Sequence, residues 1–278
     1  MVTKMTNPLS QYFRQPSIYI KLPSGGNFYP PGALDMPVNG ELPVLPMTAI
    51  DEISYRTPDG LYNGSSTVSV IQSCCPHIKD AWSMPAMDID SVLVAIRIAS
   101  YGHEMDVSTT CPNCATEADH SLDLRSVLDQ LSPKDYSKSL QFGDLVIFFK
   151  PMNYRQINSN SSIQFEEQKL LSILPDSDID EGKKAQMIND AFKKITDMTI
   201  DALSQSVSAI HTPTAQVNEH EYILDFLRNC DRAMFDKIRD YIVELKSSTE
   251  LKPLKFKCGN CNHEYEQGFS LEMSNFFA

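Results

Sequence analysis

The stretch Glu104-Met-Asp-Val-Ser-Thr-Thr-Cys-Pro-Asn-Cys-Ala-Thr-Glu-Ala-Asp-His-Ser-Leu-Asp-Leu124 decides the reading of this chain. Met105, Val107 and Thr109 alternate with polar residues into Cys111, and Ala118, His120, Leu122 and Leu124 alternate away from Cys114, so both flanks read as strands around a tight turn. A second turn of the same kind, Cys258-Gly-Asn-Cys261, lies between Leu254 and Phe256 on one side and Tyr265 and Phe269 on the other. A Cys-x-x-Cys turn puts two sulfurs on one side of a loop, and two such turns facing each other offer four thiolates to a tetrahedral ion. Cys111, Cys114, Cys258 and Cys261 are therefore the expected ligands of one structural zinc ion, in a ribbon split by the 143 residues between Cys114 and Cys258. Closing such a loop costs on the order of 5 kcal/mol, against roughly 10–16 kcal/mol from a structural zinc, so the metal outweighs the loop.

The rival chemistry is redox, because Cys-Pro-x-Cys also occurs where a thiolate is activated at a helix N-terminus. Here a strand pattern follows the pair, and two pairs in matching contexts suit one metal better than two redox couples. Four thiolates leave no open coordination position, which makes the expected ion structural and not catalytic. His263 is an alternative ligand, disfavoured by its closeness to Cys261.

Outside the knuckles, the first 46 residues hold eight of the seventeen prolines, interleaved with Tyr12, Phe13, Tyr19, Phe28 and Tyr29. Proline fixes φ and removes a donor, so 1–46 reads as an extended, non-helical arm with short strands at Ser17 to Leu22 and Glu41 to Leu45. The arm either folds back on its own core or ties onto a neighbouring subunit, and the sequence leaves both open. A helical core segment is expected over 47–102. It comprises a short helix at Thr48 to Tyr55, turns at Thr57-Pro-Asp-Gly60 and Asn63-Gly64, a helix capped by Ser65 or Ser66 and running to Ser73, and a core helix over Asp90 to Ser100 ending before Gly102.

Residues 103–150 and 251–278 form the expected zinc-ribbon and strand region, including a hairpin of Ser139 to Phe142 with Leu145 to Lys150. Residues 151–250 read as an inserted, almost entirely helical domain. Leu203, Val207 and Ile210 fit its helical spacing, and Asn218 with Glu221 resembles a capping box. The expected class is α+β: an N-terminal extended arm, a mixed core with a split zinc ribbon, and a helical insertion between its two knuckles.

With 36 acidic against 24 basic residues, the formal charge of −12 gives no general attraction to phosphate backbones, so a nucleic-acid partner is not expected. Lys252, Lys255 and Lys257 read as the solvated face of a strand. No stretch has the apolar length of a membrane span, and the polar stretch Met1 to Gln15 does not read as a signal sequence, so folding in a reducing cytoplasm is expected. Cys74, Cys75 and His77 form a weaker metal candidate, because neighbouring cysteines point apart. The acidic run Asp176, Asp178, Asp180 and Glu181 fails the calcium-loop pattern, with Glu181 where glycine is needed and Met187 where glutamate is needed. His103-Glu104, His220-Glu221 and His263-Glu264 lack the second histidine of a zinc-protease helix, and there is neither a phosphate-binding glycine loop nor a nucleophile elbow. No enzyme and no small-molecule substrate are expected.

Further marked segments are Leu22-Pro-Ser-Gly-Gly-Asn-Phe-Tyr-Pro30, Glu52-Ile-Ser-Tyr-Arg-Thr-Pro-Asp-Gly-Leu-Tyr-Asn-Gly64, Cys75-Pro-His-Ile78, Ala95-Ile-Arg-Ile-Ala-Ser-Tyr-Gly102 and Asn275-Phe-Phe277. Together with the two cysteine pairs they resemble the baseplate hub subunit family of T-even-type contractile-tailed phages. Met273 and Ser274 depart from the Asp-Pro pair expected before the terminal phenylalanines. The resemblance implies a non-enzymatic protein of the central hub, or an assembly chaperone absent from the mature virion, made in the host cytoplasm and working at the tail baseplate with other hub and tail proteins. Tyr12, Phe13, Tyr19, Phe28 and Tyr29 of the arm and Phe276 and Phe277 of the tail are the expected docking residues. A nucleic-acid-binding zinc-ribbon protein is the alternative from another class.

Overall fold

The computed structural model describes residues 7–56, 64–131, 135–174, 179–247, 253–268 and 276–277. The turn at Thr57 to Gly60, Asn63, Asp176, Asp178, Lys252, Phe269, Met273 and Ser274 lie outside the described residues.

The arm folds back on the chain's own core. Strand β1 (Ile18–Ile20) pairs antiparallel with β2 (Leu42–Val44), Ile20 opposite Leu42, and both residues lie in the main core with Leu22 and Val44. Arg14 clamps the arm down: its guanidinium donates to the Pro46 carbonyl at 2.6 Å, to Asp51 Oδ2 at 3.1 Å and to the Ser73 carbonyl at 2.8 Å. One expectation fails here, since Pro8–Tyr12 is a 3-10 turn and not extended chain. Pro8 occupies its first turn, where a missing N–H costs nothing, and the Asn7 side chain accepts from the Leu9 N–H.

Helix α1 (Ala49–Tyr55) starts with a capping box. Thr48 Oγ1 accepts from the Asp51 N–H, and Asp51 Oδ2 accepts from the Thr48 N–H at 2.7 Å. Helix α2 (Ser65–Cys74) begins after Gly64 at φ 74°, with Ser65 and Ser66 inside the first turn and not at the cap. An added Cβ at Gly64 would meet Asn158 Oδ1 at 2.7 Å, so glycine is required both by its φ and by this close approach. Helix α3 (Ala86–Tyr101) is the core helix, with Val92, Leu93, Val94, Ala95 and Ile96 buried in succession, and it ends at Gly102.

Strands β3 (Glu104–Thr110) and β4 (Glu117–Asp123) then form an antiparallel hairpin. Leu124 opens helix α4 (Leu124–Gln130) instead of continuing the strand. The Asp123 carboxylate caps it by accepting from the Arg125 N–H at 2.9 Å, and Leu124 and Val127 are buried in the main core.

A second core follows. Strands β5 (Leu140–Phe142) and β6 (Leu145–Phe149) form the expected hairpin around Gly143. Helix α5 (Tyr154–Ile173) starts with an Asn153–Gln156 capping box, and α6 (Glu181–Gln205) packs back along it, with Lys194 Nζ 2.8 Å from Glu167 Oε1. Strands β7 (Val207–His211) and β8 (Gln216–Val217) complete a four-stranded sheet in the order β5-β6-β7-β8.

The insertion at 151–250 is thus not all helical. The spacing of Leu203, Val207 and Ile210 fits either element, and the free edge of β6 captures the β-branched Val207 and Ile210 as a strand. The sheet runs across position 150/151, because β6 pairs with β7. Helices α7 (His220–Asn229) and α8 (Arg232–Ser247) cover it, with Ile223, Leu227, Ile238 and Ile242 packed on Ile147, Phe149, Val207 and Ile210. The Asn218–Glu221 box does not form, because Glu219 is the N-cap residue of α7. Strands β9 (Leu254–Lys257) and β10 (Glu264–Gln267) form a further antiparallel hairpin. The class is α+β.

Candidate metal centre

Each cysteine pair sits at the tip of a two-stranded hairpin, and the two tips share one backbone plan. The Ala115 N–H donates to the Cys111 carbonyl at 2.9 Å, and the Asn262 N–H donates to the Cys258 carbonyl at 3.0 Å. The Cys111 N–H donates to the Thr116 carbonyl at 3.0 Å, and the Cys258 N–H to the His263 carbonyl at 2.9 Å. Ala115 and Asn262, each just after the second cysteine, have φ of 54° and 57°. Two non-glycine residues held in the left-handed region at equivalent positions mark a backbone fixed by its turn.

The hairpins face each other. Thr109 Oγ1 on β3 lies 2.6 Å from Tyr265 Oη on β10, and the His120 ring on β4 lies 4.5 Å from the Phe256 ring on β9. This packing brings Cys111 Sγ to 3.7 Å from Cys261 Sγ and Cys114 Sγ to 3.6 Å from Cys258 Sγ, with all four sulfurs within 4.8 Å of one another. Among the described residues these four cysteines are the group of cysteine, histidine and carboxylate side chains that could hold a metal ion, and His263 is not part of it.

The surroundings favour negative charge on two of the sulfurs. Hydrogen bonds from the Thr116 hydroxyl and backbone pull the Cys114 thiol down to about 6, and Asn113 together with the His263 backbone lowers Cys261. Burial pushes Cys111 up to about 11. Asn113 Nδ2 lies 3.5 Å from Cys261 Sγ, and Asn260 Nδ2 lies 3.8 Å from Cys114 Sγ. Each asparagine thus reaches from its own turn to the second cysteine of the other. The shared Cys-x-Asn-Cys pattern was the sequence signal for these two residues, and spacing alone did not expose it.

Among the described residues the weaker candidates do not assemble. Cys74 and Cys75 are fully buried in the main core, where burial pushes the Cys74 thiol up to about 12 and raises Cys75 as well. His77 turns its Nδ1 to the Asp35 carbonyl at 2.8 Å. In the acidic run, Asp180 caps α6 by accepting from the Gly182 N–H. A Ser-His-Asp contact does occur, with Ser204 Oγ 3.4 Å from His220 Nδ1 and His220 Nε2 3.0 Å from Asp201 Oδ1. Ser204 is 1% exposed and its hydroxyl donates to the Asp201 carbonyl, so this network staples the end of α6 to the start of α7.

The expected docking residues divide. Tyr12, Phe13, Tyr19 and Phe28 are exposed by 45–77%. Tyr29 is partly buried, and its hydroxyl donates to Asp88 Oδ2 at 3.0 Å. Phe276 and Phe277 are buried in the main core, Phe277 edge-on to Tyr55 at 5.1 Å, with the Phe276 carbonyl accepting from Arg97 Nε at 3.0 Å. Their apolar surface is buried against the chain's own fold. No helix among the described residues is long and apolar enough to cross a membrane.

No curated protein and no solved structure matches the chain. The sequence from residue 58 to residue 278 does match one family, described as T4 bacteriophage base plate protein, and that stretch contains both cysteine turns and the helical insertion between them. The chain belongs to the T4 bacteriophage base plate protein family.

Proposed function

We propose that the protein is a non-enzymatic structural or assembly component of the central hub of a contractile phage tail, organised around one structural zinc ion. Family membership over residues 58–278 carries the baseplate part of this reading. The sulfur cluster carries the metal part. Tetrahedral zinc with bonds of about 2.3 Å separates its sulfurs by about 3.8 Å, and the two short separations of 3.6 and 3.7 Å lie close to that edge. Zinc supplies folding free energy at such a site and no catalysis, since four thiolates fill its coordination.

Cys111, Cys114, Cys258 and Cys261 would hold the ion, and Asn113, Asn260 and Thr116 would orient the sulfurs. The metal then ties the hairpin after the core helix to the hairpin after the insertion. Tyr12, Phe13, Tyr19 and Phe28 are the residues proposed to meet other hub proteins, since exposed aromatics on an anchored arm present contact area at low entropic cost. The decisive experiment is mass spectrometry of purified virions alongside co-purification from infected cells. The chain in mature particles makes it a hub component, and its presence only in assembly intermediates makes it a hub assembly factor. Absence from both overturns the proposal.

A further inference from the structure

The β3–β4 hairpin turns one face to β9–β10, through Thr109 with Tyr265 and His120 with Phe256, and the other face outward. The outward face carries Glu104, Asp106, Ser108 and Thr110 of β3, paired in register with Asp123, Ser121, Asp119 and Glu117 of β4. Five of these side chains are carboxylates, and neither strand contains a lysine or arginine. Arg125 and His103 act at the Asp123 end, where Arg125 is held by Asp123 at 2.6 Å. Asp119 accepts from the Ser108 hydroxyl at 2.6 Å. Glu104, Asp106 and Glu117 make no hydrogen bond or ion pair among the described residues. Lys255 and Lys257 alternate with Phe256 on β9 and so point away from this hairpin.

The ladder shows which backbone groups are open. The Leu124 N–H donates to the His103 carbonyl at 2.8 Å, and the Cys111 N–H to the Thr116 carbonyl at 3.0 Å. Both ends of β3 are thus hydrogen-bonded pairs, and the unbroken register between them makes 105, 107 and 109 the residues bonded to β4. Glu104, Asp106, Ser108 and Thr110 therefore direct N–H and C=O along the outer edge of β3. The sheet has two strands, and no backbone bond closes that edge among the described residues. On the β4 side the Asp123 carbonyl is already taken by the Ser126 hydroxyl at 2.6 Å.

An open edge is a template for another strand, and here charge selects which one. A second copy would lay another acidic face beside the first. A strand with cations at alternate positions would instead set one opposite Glu104 and one opposite Asp106. In an antiparallel pair the residue that bonds to Glu104 also places its side chain beside that of Glu104, so one set of residues serves both contacts.

We propose that the outer edge of β3 receives, antiparallel, an extended segment of a partner tail protein with lysine or arginine at every second position. Its backbone bonds to Glu104, Asp106, Ser108 and Thr110, and its cations face Glu104 and Asp106. This rests on the hairpin and on the base plate family, not on the hub reading.

The test titrates the whole chain at pH 7.5 and low salt with the peptide acetyl-KTKVKTK-amide, read by NMR shifts and amide exchange. At saturation, exchange at Glu104, Asp106, Ser108 and Thr110 should slow about tenfold or more. The same peptide N-methylated on its third and fifth residues keeps every charge but loses donors to the edge, and should bind about tenfold more weakly. The acidic peptide acetyl-ETEVETE-amide should not bind. Glu104→Gln with Asp106→Asn, at two exposed positions, should weaken the lysine peptide about fivefold and leave the protein's melting unchanged. Equal binding of the methylated peptide means charge attraction alone and overturns the proposal. So does binding of the acidic peptide, an unchanged affinity in the double variant, protection at Glu117 and Asp119 instead, or no binding at all.

Discussion

Asn113 spans the cysteine cluster, its Nδ2 3.5 Å from Cys261 Sγ, and Asn260 makes the reciprocal approach to Cys114 Sγ at 3.8 Å. Amide donors aimed at sulfur stabilise the thiolate and fix where it points, so the pair braces one turn against the other across the proposed metal. Replacing Asn113 or Asn260 by alanine should weaken metal binding by roughly 10–100-fold, the range for partners that orient metal ligands. Competition with a chromophoric chelator measures it. Asn113 is expected to matter more, since its donor is nearer and it is the leading cause of the lowered Cys261 thiol.

Removing the metal should have a local consequence. Two two-stranded hairpins have little independent stability, and these two touch through few side chains, Thr109 with Tyr265 and His120 with Phe256. A strong chelator, or Cys258→Ser with Cys261→Ser, should expose the amides of 254–267 to hydrogen exchange. Those of the core helix 86–101 should stay protected. Elemental analysis of untreated protein should find one zinc per chain. Metal-free protein with fully protected hairpins would contradict the proposed role of the cluster.

Asp88 should be the residue that holds the Ser24 to Tyr29 loop. Its carboxylate is fully buried in the first turn of α3 and accepts from the Ser24 N–H at 2.8 Å, the Ser24 hydroxyl at 2.6 Å and the Tyr29 hydroxyl at 3.0 Å. Asp88→Ala strands these donors, at a cost of roughly 2–4 kcal/mol by the penalty for unpaired buried groups. Denaturant melts give that figure, and limited proteolysis should show earlier cleavage between residues 22 and 31.

What the sequence disclosed was what short-range pattern controls. The cysteine turns, the β3–β4 and β5–β6 hairpins and the α3 helix each depend on spacing within a few residues, and the structure has all of them. The parts that were not legible depend on distant partners. Val207 and Ile210 become strand because β6 offers an edge some 60 residues earlier in the chain. Phe277 is buried because Tyr55 waits for it at the other end of the sequence. The α4 helix was hidden for a local reason: Leu124 stays in phase with the preceding alternation, and only the Asp123 cap separates the two elements.

The last expectation concerns pH, and it turns on Asp90. Burial raises its carboxyl from 3.8 to about 6 in the folded chain, with no partner pulling it back. A folded pKa above the unfolded one means that the native state binds the proton more tightly, so this residue's contribution is fully present below about pH 4 and is lost as pH rises through about 6. A shift of that size corresponds to at most about 3 kcal/mol at neutral pH. Asp90→Asn mimics the protonated form, so it should stabilise the protein by on the order of 1–3 kcal/mol at pH 7.5, with the advantage falling to about a third of that near pH 4.5. Urea melts of wild type and variant, compared within each pH so that the metal state is shared, measure the difference. An equal difference at both pH values would mean that the Asp90 carboxylate is compensated.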